Sequence, residues 1–166
     1  LLHDIFEISS ALATRTYIWG GMVPDILSDE ILRVHHDIDG FTLNLSSVRI
    51  EMAALFSRRG YTTTYADEYG MLKITKGELH AGLNELEIDD HTAMWRHVGN
   101  QGTVYFPADW LELTPRCFHS VNVYVSGAKF EYAIKTNVHL LNPEWQLRDK
   151  DRSAVRFLSA ELDRAG

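Results

Sequence analysis

The spacing of apolar residues along the chain predicts helices near both ends and strands between them. Leu1, Ile5, Ile8 and Leu12 recur near helical spacing. Short apolar or alternating runs bounded by glycine, proline or acidic residues are typical of strands. The predicted helices are 1–15, 24–32, 46–60, 129–140 and 149–164. The predicted strands are 17–19, 37–45, 61–67, 70–76, 79–87, part of 101–111, and 121–125.

This order of elements predicts an α/β (α+β) fold. Helices and strands alternate at the front, strands follow one another in the middle, and helices close the end. We therefore expect a mixed β-sheet flanked by helices, with additional strands and C-terminal helices. The chain has 166 residues, with 45% hydrophobic and 23% charged. This length and balance fit a single domain with its own core.

The cysteine count and the net charge indicate the cellular compartment and the kind of binding partner to expect. Cys117 is the only cysteine, which excludes an internal disulfide and a zinc site built from several cysteines. A reducing cytoplasm is the expected location, and no run of apolar residues predicts a membrane span. The net charge of −7 and the absence of a lysine or arginine run disfavour a nucleic-acid substrate. They favour a small, even cationic, acceptor.

The most informative residues are two aspartates separated by one isoleucine. In a strand, residues two apart point to the same face, so Asp37 and Asp39 would project together while Ile38 enters the core. Two adjacent carboxylates repel each other, and a bound hard cation removes that repulsion. Mg²⁺ takes oxygen ligands and keeps waters and substrate phosphates, so two protein carboxylates are enough to begin a site.

A glycine pair precedes the aspartates and predicts a site for an anion. Gly20 and Gly21 end an apolar strand, where the lack of side chains lets a bulky anion approach the main chain. Pro24 suits the first turn of a following helix, whose free N–H groups favour phosphate. Arg33 and His35 add positive charge just before the second strand.

Each of these elements has an ordinary structural explanation when it stands alone. Gly-Gly is usually a turn, Asp-x-Asp is more often a solvated strand edge, and single histidines are more often hydrogen-bonded or exposed. The pair His36-Asp37 also occurs in helical metal-dependent phosphohydrolases, but strand-like sequence surrounds it here. Only the order and spacing of the elements together support a functional site.

Together these residues resemble the nucleotidyltransferase superfamily, and in particular its small aminoglycoside and lincosamide nucleotidyltransferases. That pattern is an apolar strand, Gly-Gly, an aspartate four residues on, and then Arg-x-His-x-Asp-Ile-Asp. The chain has Gly20-Gly21, Asp25, and Arg33-Val34-His35-His36-Asp37-Ile38-Asp39 at the same intervals. The similarity is specific over residues 17–45 and weaker to residue 87.

The resemblance implies transfer of a nucleoside monophosphate from an NTP to a small-molecule hydroxyl. Asp37 and Asp39 would hold Mg²⁺ or Mn²⁺, and a group of five residues would bind the nucleotide, namely Gly20, Gly21, Asp25, Arg33 and His35. The expected organisation is a single nucleotidyltransferase-like domain, with residues 17–87 as the catalytic core and 88–166 as an extension. A homodimer is an open alternative to a monomer.

One departure concerns the catalytic base. The superfamily supplies a third carboxylate from a later strand, but the corresponding positions here are His80 and Ala81. His80 is the candidate base, because imidazole accepts a proton near neutral pH. Glu78 and Glu85 are the alternatives, and Ala81→Asp would return a carboxylate if the position is vacant. A nucleotide-binding or regulatory module with slow or no transfer is the alternative function.

Seven further residues are candidates for contacts with the acceptor or the triphosphate. Four aromatic residues could line an acceptor pocket, although aromatic side chains more often belong to the core: Trp95, Tyr105, Trp110 and Tyr132. Three cations near the end could meet phosphates, although a solvated helix face explains them equally: Lys135, Arg148 and Lys150.

Overall fold

A computed structural model describes residues 1–96 and 102–165. The helices are α1 (Leu2–Ala11), α2 (Val23–Ser28), α3 (Leu45–Arg58), α4 (Gly127–Leu141) and α5 (Asp149–Ala165). The strands are β1 (Thr16–Trp19), β2 (Asp37–Leu43), β3 (Thr62–Ala66), β4 (Met71–Lys76), β5 (Leu79–Asp89), β6 (Thr92–Arg96), β7 (Thr103–Pro107), β8 (Arg116–Phe118) and β9 (Val121–Val125).

The strands form a mixed sheet in the order β3-β4-β5-β2-β1-β9-β8, and β6 and β7 extend it from β5. β2 pairs with β5 and β1 pairs with β9 in parallel, while the other pairs are antiparallel. The predicted class is confirmed: an α/β mixed sheet flanked by helices, with additional strands and C-terminal helices.

Apolar side chains from the two faces of the sheet join different buried clusters. On one face, Met52 and Phe56 of α3 pack in a cluster with Leu83 of β5, and Ile38 packs against its edge. On the other face, Phe41 and Phe130 belong to a cluster rich in aromatic residues. Because side chains alternate along β2, Asp37 and Asp39 lie on the same face as Phe41, the face that α4 covers.

Three predicted helix boundaries were wrong. The first helix was expected to reach Arg15, but α1 ends at Ala11, and Ala13 takes a left-handed conformation with φ 52°. The second helix was expected to reach Leu32, but α2 ends at Ser28, because Asp29 takes a left-handed conformation with φ 55° and the chain turns away. Ser46 or Ser47 was expected to cap α3. Asn44 occupies the N-cap position without a side-chain hydrogen bond to the helix, and Ser46 bonds instead to Glu85 of β5.

Two short strands, β6 and β8, were not predicted from the sequence. The predicted element 101–111 contains β7 and a 3-10 turn at Ala108–Trp110; its first residue lies outside the described ranges. None of the helices in residues 1–96 and 102–165 combines the length and the hydropathy that crossing a bilayer requires.

Candidate active site

Asp37 and Asp39 lie at the start of β2 and line the same cavity as Gly20 and Gly21. Their side chains share a face because they are two residues apart in a strand, as expected from the sequence. Antiparallel pairing of β1 with β2 places Trp19 opposite Asp39. The glycine turn that follows Trp19 is thereby brought next to the carboxylates.

The cavity has a volume of about 350 Å³, and two segments of the chain form its sides. We call residues 19–39 the front wall and residues 134–151 the back wall. The front wall contributes Trp19, Gly20, Gly21, Arg33, His35, His36, Asp37 and Asp39. The back wall contributes Ile134, Lys135, Val138, Trp145, Arg148, Lys150 and Asp151. Carboxylates and several cations therefore face one space.

Gly20 has a conformational and steric reason to lack a side chain, whereas Gly21 lies against the end of a flexible side chain. Gly20 has φ 80°, and a Cβ there would lie 3.0 Å from Oδ2 of Asp39. A Cβ at Gly21 would collide with the Arg33 guanidinium. The turn thus allows the Asp39 carboxylate and the Arg33 cation to approach the main chain closely.

The environment of Asp39 disfavours its charged form in the metal-free protein. Burial, reinforced by the negative charge of Asp37, raises the pKa of Asp39 to about 6, and the charges of Lys135 and Lys150 act in the opposite direction. A carboxylate with this environment favours a bound cation, since the cation removes both the repulsion and part of the cost of burial.

Asp25 and His35 fix the loop that leads into β2. The Asp25 carboxylate is buried, and its Oδ2 accepts a hydrogen bond from the Leu32 N–H and lies within 3.0 Å of His35 Nε2. Asp25 does not line the carboxylate cavity but an adjoining one of about 260 Å³, which shares Arg33 and Gly21 with it. The visible role of Asp25 is to hold the loop that carries Arg33.

The back wall brings cations from α4 and α5 toward the carboxylates. Lys135 is 11% exposed and lies 3.8 Å from Glu131. Arg148 forms an ion pair with Asp151 at 2.7 Å, so its charge is partly compensated. Lys150 is exposed and lines both the carboxylate cavity and the adjoining one. The three cations named from the sequence therefore do face the predicted site.

Glu131 was not identified from the sequence, although it is the most buried carboxylate near the site. It is 0% exposed, and its Oε1 accepts hydrogen bonds from the Gly20 N–H at 2.7 Å and the Ser126 hydroxyl at 2.8 Å. Burial raises the pKa of Glu131 to about 7, against the lowering effect of Lys135 and the two hydrogen bonds. A single glutamate in an amphipathic helix carries no sequence signal that distinguishes it from a solvated one.

The parallel pairing of β2 with β5 places two candidate positions for the base, His80 and Ala81, relative to the aspartates. His80 is opposite Asp37, Ala81 is opposite Ile38, and Gly82 is opposite Asp39. His80 therefore shares the face of the carboxylates, but it is exposed and does not line the cavity. Ala81 points to the opposite face and is part of a buried apolar cluster, so the expectation that Ala81→Asp restores a carboxylate was wrong.

The two glutamates considered as alternatives are also placed elsewhere. Glu85 is buried beside the start of α3, where its carboxylate accepts hydrogen bonds from the N–H and hydroxyl of Ser46. Glu78 is exposed and immediately precedes β5. Neither lines the carboxylate cavity.

The aromatic residues proposed for an acceptor pocket do not line the carboxylate cavity either. Trp95 belongs to the core, where its ring centroid lies 5.0 Å from that of Trp19. Tyr105 and Trp110 line a separate, mainly apolar cavity of about 250 Å³ on another side of α4. The aromatic residue that does face the carboxylates from the back wall is Trp145, which was not predicted from the sequence.

The fold is that of the nucleotidyltransferases, as comparison with solved structures shows. The solution structure of the antibiotic-resistance factor ANT(2″)-Ia matches with a TM-score of 0.71 and 15% identity, over 96% of this chain and 81% of that one. Its crystal structure in complex with adenylyl-2″-tobramycin matches with a TM-score of 0.71 and 16% identity, over 96% and 86%.

A second solved protein supports the same conclusion. The lincomycin-bound lincosamide antibiotic adenylyltransferase LnuA matches with a TM-score of 0.68 and 13% identity, over 94% of this chain and 92% of that one. No family model and no curated protein sequence matches the chain. At these identities the similarity establishes the fold, and the resemblance stated from the Gly-Gly and Asp-Ile-Asp residues is confirmed at that level.

Proposed function

We propose that the chain is a metal-dependent nucleotidyltransferase, which transfers a nucleoside monophosphate from an NTP to a hydroxyl of a small molecule. The observation that carries this proposal is the shared cavity of Asp37, Asp39 and the Gly20-Gly21 turn. Its location in a nucleotidyltransferase fold supports the assignment.

The residues present fit a hard divalent cation, Mg²⁺ or Mn²⁺. Asp37 and Asp39 offer oxygen ligands from one face of β2, and burial near Asp37 disfavours a bare Asp39 charge. No cluster of three or more His, Cys, Asp or Glu with metal-binding geometry occurs in residues 1–96 and 102–165. Two carboxylates suit Mg²⁺, which completes its coordination with waters and phosphates. When bound, the ion would supply positive charge against the charge that develops on the phosphates.

The other residues of the cavity would bind and orient the nucleotide. Lys135, Lys150 and Arg33 line the cavity and place positive charge opposite the carboxylates, where it would offset the charge of a triphosphate. The glycine turn gives phosphate oxygens access to the main chain. The acceptor hydroxyl must lose a proton, and His80, which shares a face with Asp37 on the neighbouring strand, is the candidate to take it.

A binding module with slow or no transfer is the second candidate function. It is favoured by β5, where the positions that share a face with the two aspartates are His80 and Gly82, and neither carries a carboxylate. Positioned acid–base groups contribute roughly 10²–10⁴-fold to rate. Such a module would bind Mg²⁺–NTP as tightly as an active enzyme of this fold but would release little pyrophosphate.

Calorimetric titration of Mg²⁺–ATP and pyrophosphate release across a panel of acceptors test both functions. Asp37→Asn and Asp39→Asn should each abolish measurable Mg²⁺–ATP binding and transfer. The matched control is Asp163→Asn, an exposed aspartate of α5 that does not line the cavity. Nucleotide affinity in either cavity variant equal to that of the control would refute the proposal.

The role of His80 separates the enzyme from the module. If His80 accepts the proton, His80→Ala should lower the rate of transfer about 10²–10⁴-fold and leave Mg²⁺–ATP binding close to that of the parent. Tight binding by the parent without transfer to any acceptor would favour the module. Fast transfer by His80→Ala would show that another group takes the proton.

A further inference from the structure

Glu131 lies behind the cavity, where three elements meet. It belongs to α4. Its Oε1 accepts a hydrogen bond from the N–H of Gly20, which follows β1, and another from the hydroxyl of Ser126, which follows β9. Ser126 is itself tied to β1, because its N–H donates to the Ile18 carbonyl at 2.9 Å. One carboxylate oxygen therefore joins the ends of two parallel strands to a helix.

The position of Gly20 matters because this residue adjoins Asp39. Gly20 has φ 80°, a conformation that glycine adopts readily. Because glycine adopts many other conformations as well, contacts are needed to keep its main chain in this one. A Cβ at Gly20 would lie 3.0 Å from Asp39 Oδ2, so any shift of this main chain changes the space available to that carboxylate. The hydrogen bond to Glu131 fixes the N–H side of the same residue.

We propose that Glu131 is a positioning residue, which holds the Gly20 main chain beside the Asp39 carboxylate. The importance of this position for metal and nucleotide rests on the proposed function. Glu131 is 0% exposed, so it acts through Gly20 and does not contact the substrate.

The burial of this carboxyl group requires polar partners, because a buried polar group without a hydrogen bond is costly. A hydrogen bond from an N–H to a carboxylate is roughly twice as strong as one to a neutral acceptor. Lys135, 3.8 Å from Oε2, compensates the charge that burial would otherwise leave alone. Oε2 accepts no hydrogen bond from the described residues, so the contacts of Oε1 account for the orientation of the side chain.

Two substitutions separate the hydrogen bond from the bulk of the side chain. Glu131→Gln keeps a carbonyl oxygen that can accept the Gly20 N–H. Glu131→Met has similar length but no acceptor, and the dispersion of its amide NMR spectrum shows whether the variant is folded. The matched control is Glu51→Gln, since Glu51 is an exposed glutamate in the middle of α3.

The first measurement is amide hydrogen exchange of Gly20 by NMR in the metal-free protein. We expect protected exchange in the parent, the control and Glu131→Gln, and exchange at least about ten-fold faster in Glu131→Met. This measurement needs neither metal nor nucleotide. Unchanged Gly20 exchange in Glu131→Met would overturn the proposal, whatever the protein is found to catalyse.

The second measurement is the affinity for Mn²⁺ alone, from paramagnetic broadening of the amides of Asp37, Asp39 and Gly20. Loss of a group that orients a metal ligand typically lowers affinity about 10–100-fold, so Glu131→Met should bind at least about ten-fold more weakly, while Glu131→Gln stays close to the parent. Glu131→Met could instead show fast Gly20 exchange but the same Mn²⁺ affinity as the parent. The hydrogen bond between Gly20 and Glu131 would then be purely structural, and the positioning role would be overturned.

The two measurements also separate this proposal from the proposed function. If the parent itself binds no Mn²⁺, the metal-dependent function fails, and the exchange of Gly20 still decides whether Glu131 fixes its main chain. If the parent binds Mn²⁺ and only Glu131→Met loses both protection and affinity, the positioning role is supported.

Discussion

The front and back walls of the carboxylate cavity are built in different ways. The front wall comes from one short stretch, residues 19–39, in which β1, a glycine turn, a loop and β2 follow one another. The back wall comes from α4, the segment that follows it and the start of α5, about a hundred residues later in the chain. The front wall supplies the carboxylates, and the back wall supplies most of the cations.

This difference shows which parts of a site depend on local structure. The shared face of Asp37 and Asp39 follows from the two-residue repeat of a strand. The approach of Lys135 to those carboxylates follows from how α4 packs across the sheet, which no local pattern encodes. We therefore expect substitutions at or beside the front wall to act through the face of the strand on which a side chain lies. Substitutions in the back wall should act through the charge that they remove.

The largest expected effect tests the alternation of faces on the strand beside the front wall. Ala81→Asp would place a carboxylate at a position that is 5% exposed, within the apolar cluster of Leu83 and Ile74. An unpaired buried carboxylate costs several kcal/mol, so we expect the free energy of unfolding to fall by about 3 kcal/mol or more. Urea denaturation measures the change.

The matched control for this prediction is His80→Asp, at the adjacent and exposed position. It should change the free energy of unfolding by less than about 1 kcal/mol. Equal destabilisation by the two substitutions would contradict the assignment of Ala81 and His80 to opposite faces of β5.

Much of the fold was predictable, because long amphipathic helices and alternating strands leave clear periods in the sequence. The front wall was predictable for the same reason, since its glycines and aspartates act within a few residues of one another. The end of α2 was not predictable, because the Asp25 carboxylate accepts a hydrogen bond from the Leu32 N–H. This side-chain contact replaces the expected helical turn. The role of Glu131 was not predictable either, because its hydrogen-bond partner Gly20 is 111 residues away in the sequence.

The second prediction tests the contribution of charge from the back wall. Lys150→Met should weaken Mg²⁺–ATP binding about ten-fold, equivalent to about 1.4 kcal/mol, because Lys150 lines the cavity and its charge acts on Asp39. Isothermal titration measures the affinity. Lys129→Met is the control, since Lys129 is an exposed lysine of α4 that does not line the cavity. Equal affinities of the two variants would remove Lys150 from the nucleotide site.

The smallest expected effect concerns pH and the metal-free front wall. The pKa of Asp39 is raised from 3.8 to about 6, so between these values the folded protein binds more protons than the unfolded chain. Its stability therefore falls as the pH rises through this window. Because Asp39 keeps some contact with solvent, we expect the loss to be about 1 kcal/mol.

Thermal or urea unfolding in the presence of a chelator, from pH 4 to pH 7, measures this loss. Asp39→Asn should remove the part of the pH dependence that comes from this residue and should be more stable than the parent at pH 7. If the stability of Asp39→Asn changed with pH as that of the parent does from pH 4 to pH 7, the surroundings of Asp39 would not disfavour its charged form.

The long-range hydrogen bond of Gly20 also has a consequence for the order of folding. β1 pairs with β9 through Tyr17 and Tyr124, and the bond from Gly20 to Glu131 spans 111 residues. Contacts of such high sequence separation close large loops and are therefore slow to form. The two aspartates can acquire their orientation once β2 has paired with its neighbours. We therefore expect the glycine turn to become ordered only when β9 and α4 have docked, so that the cavity is completed late, when distant parts of the chain have already come together.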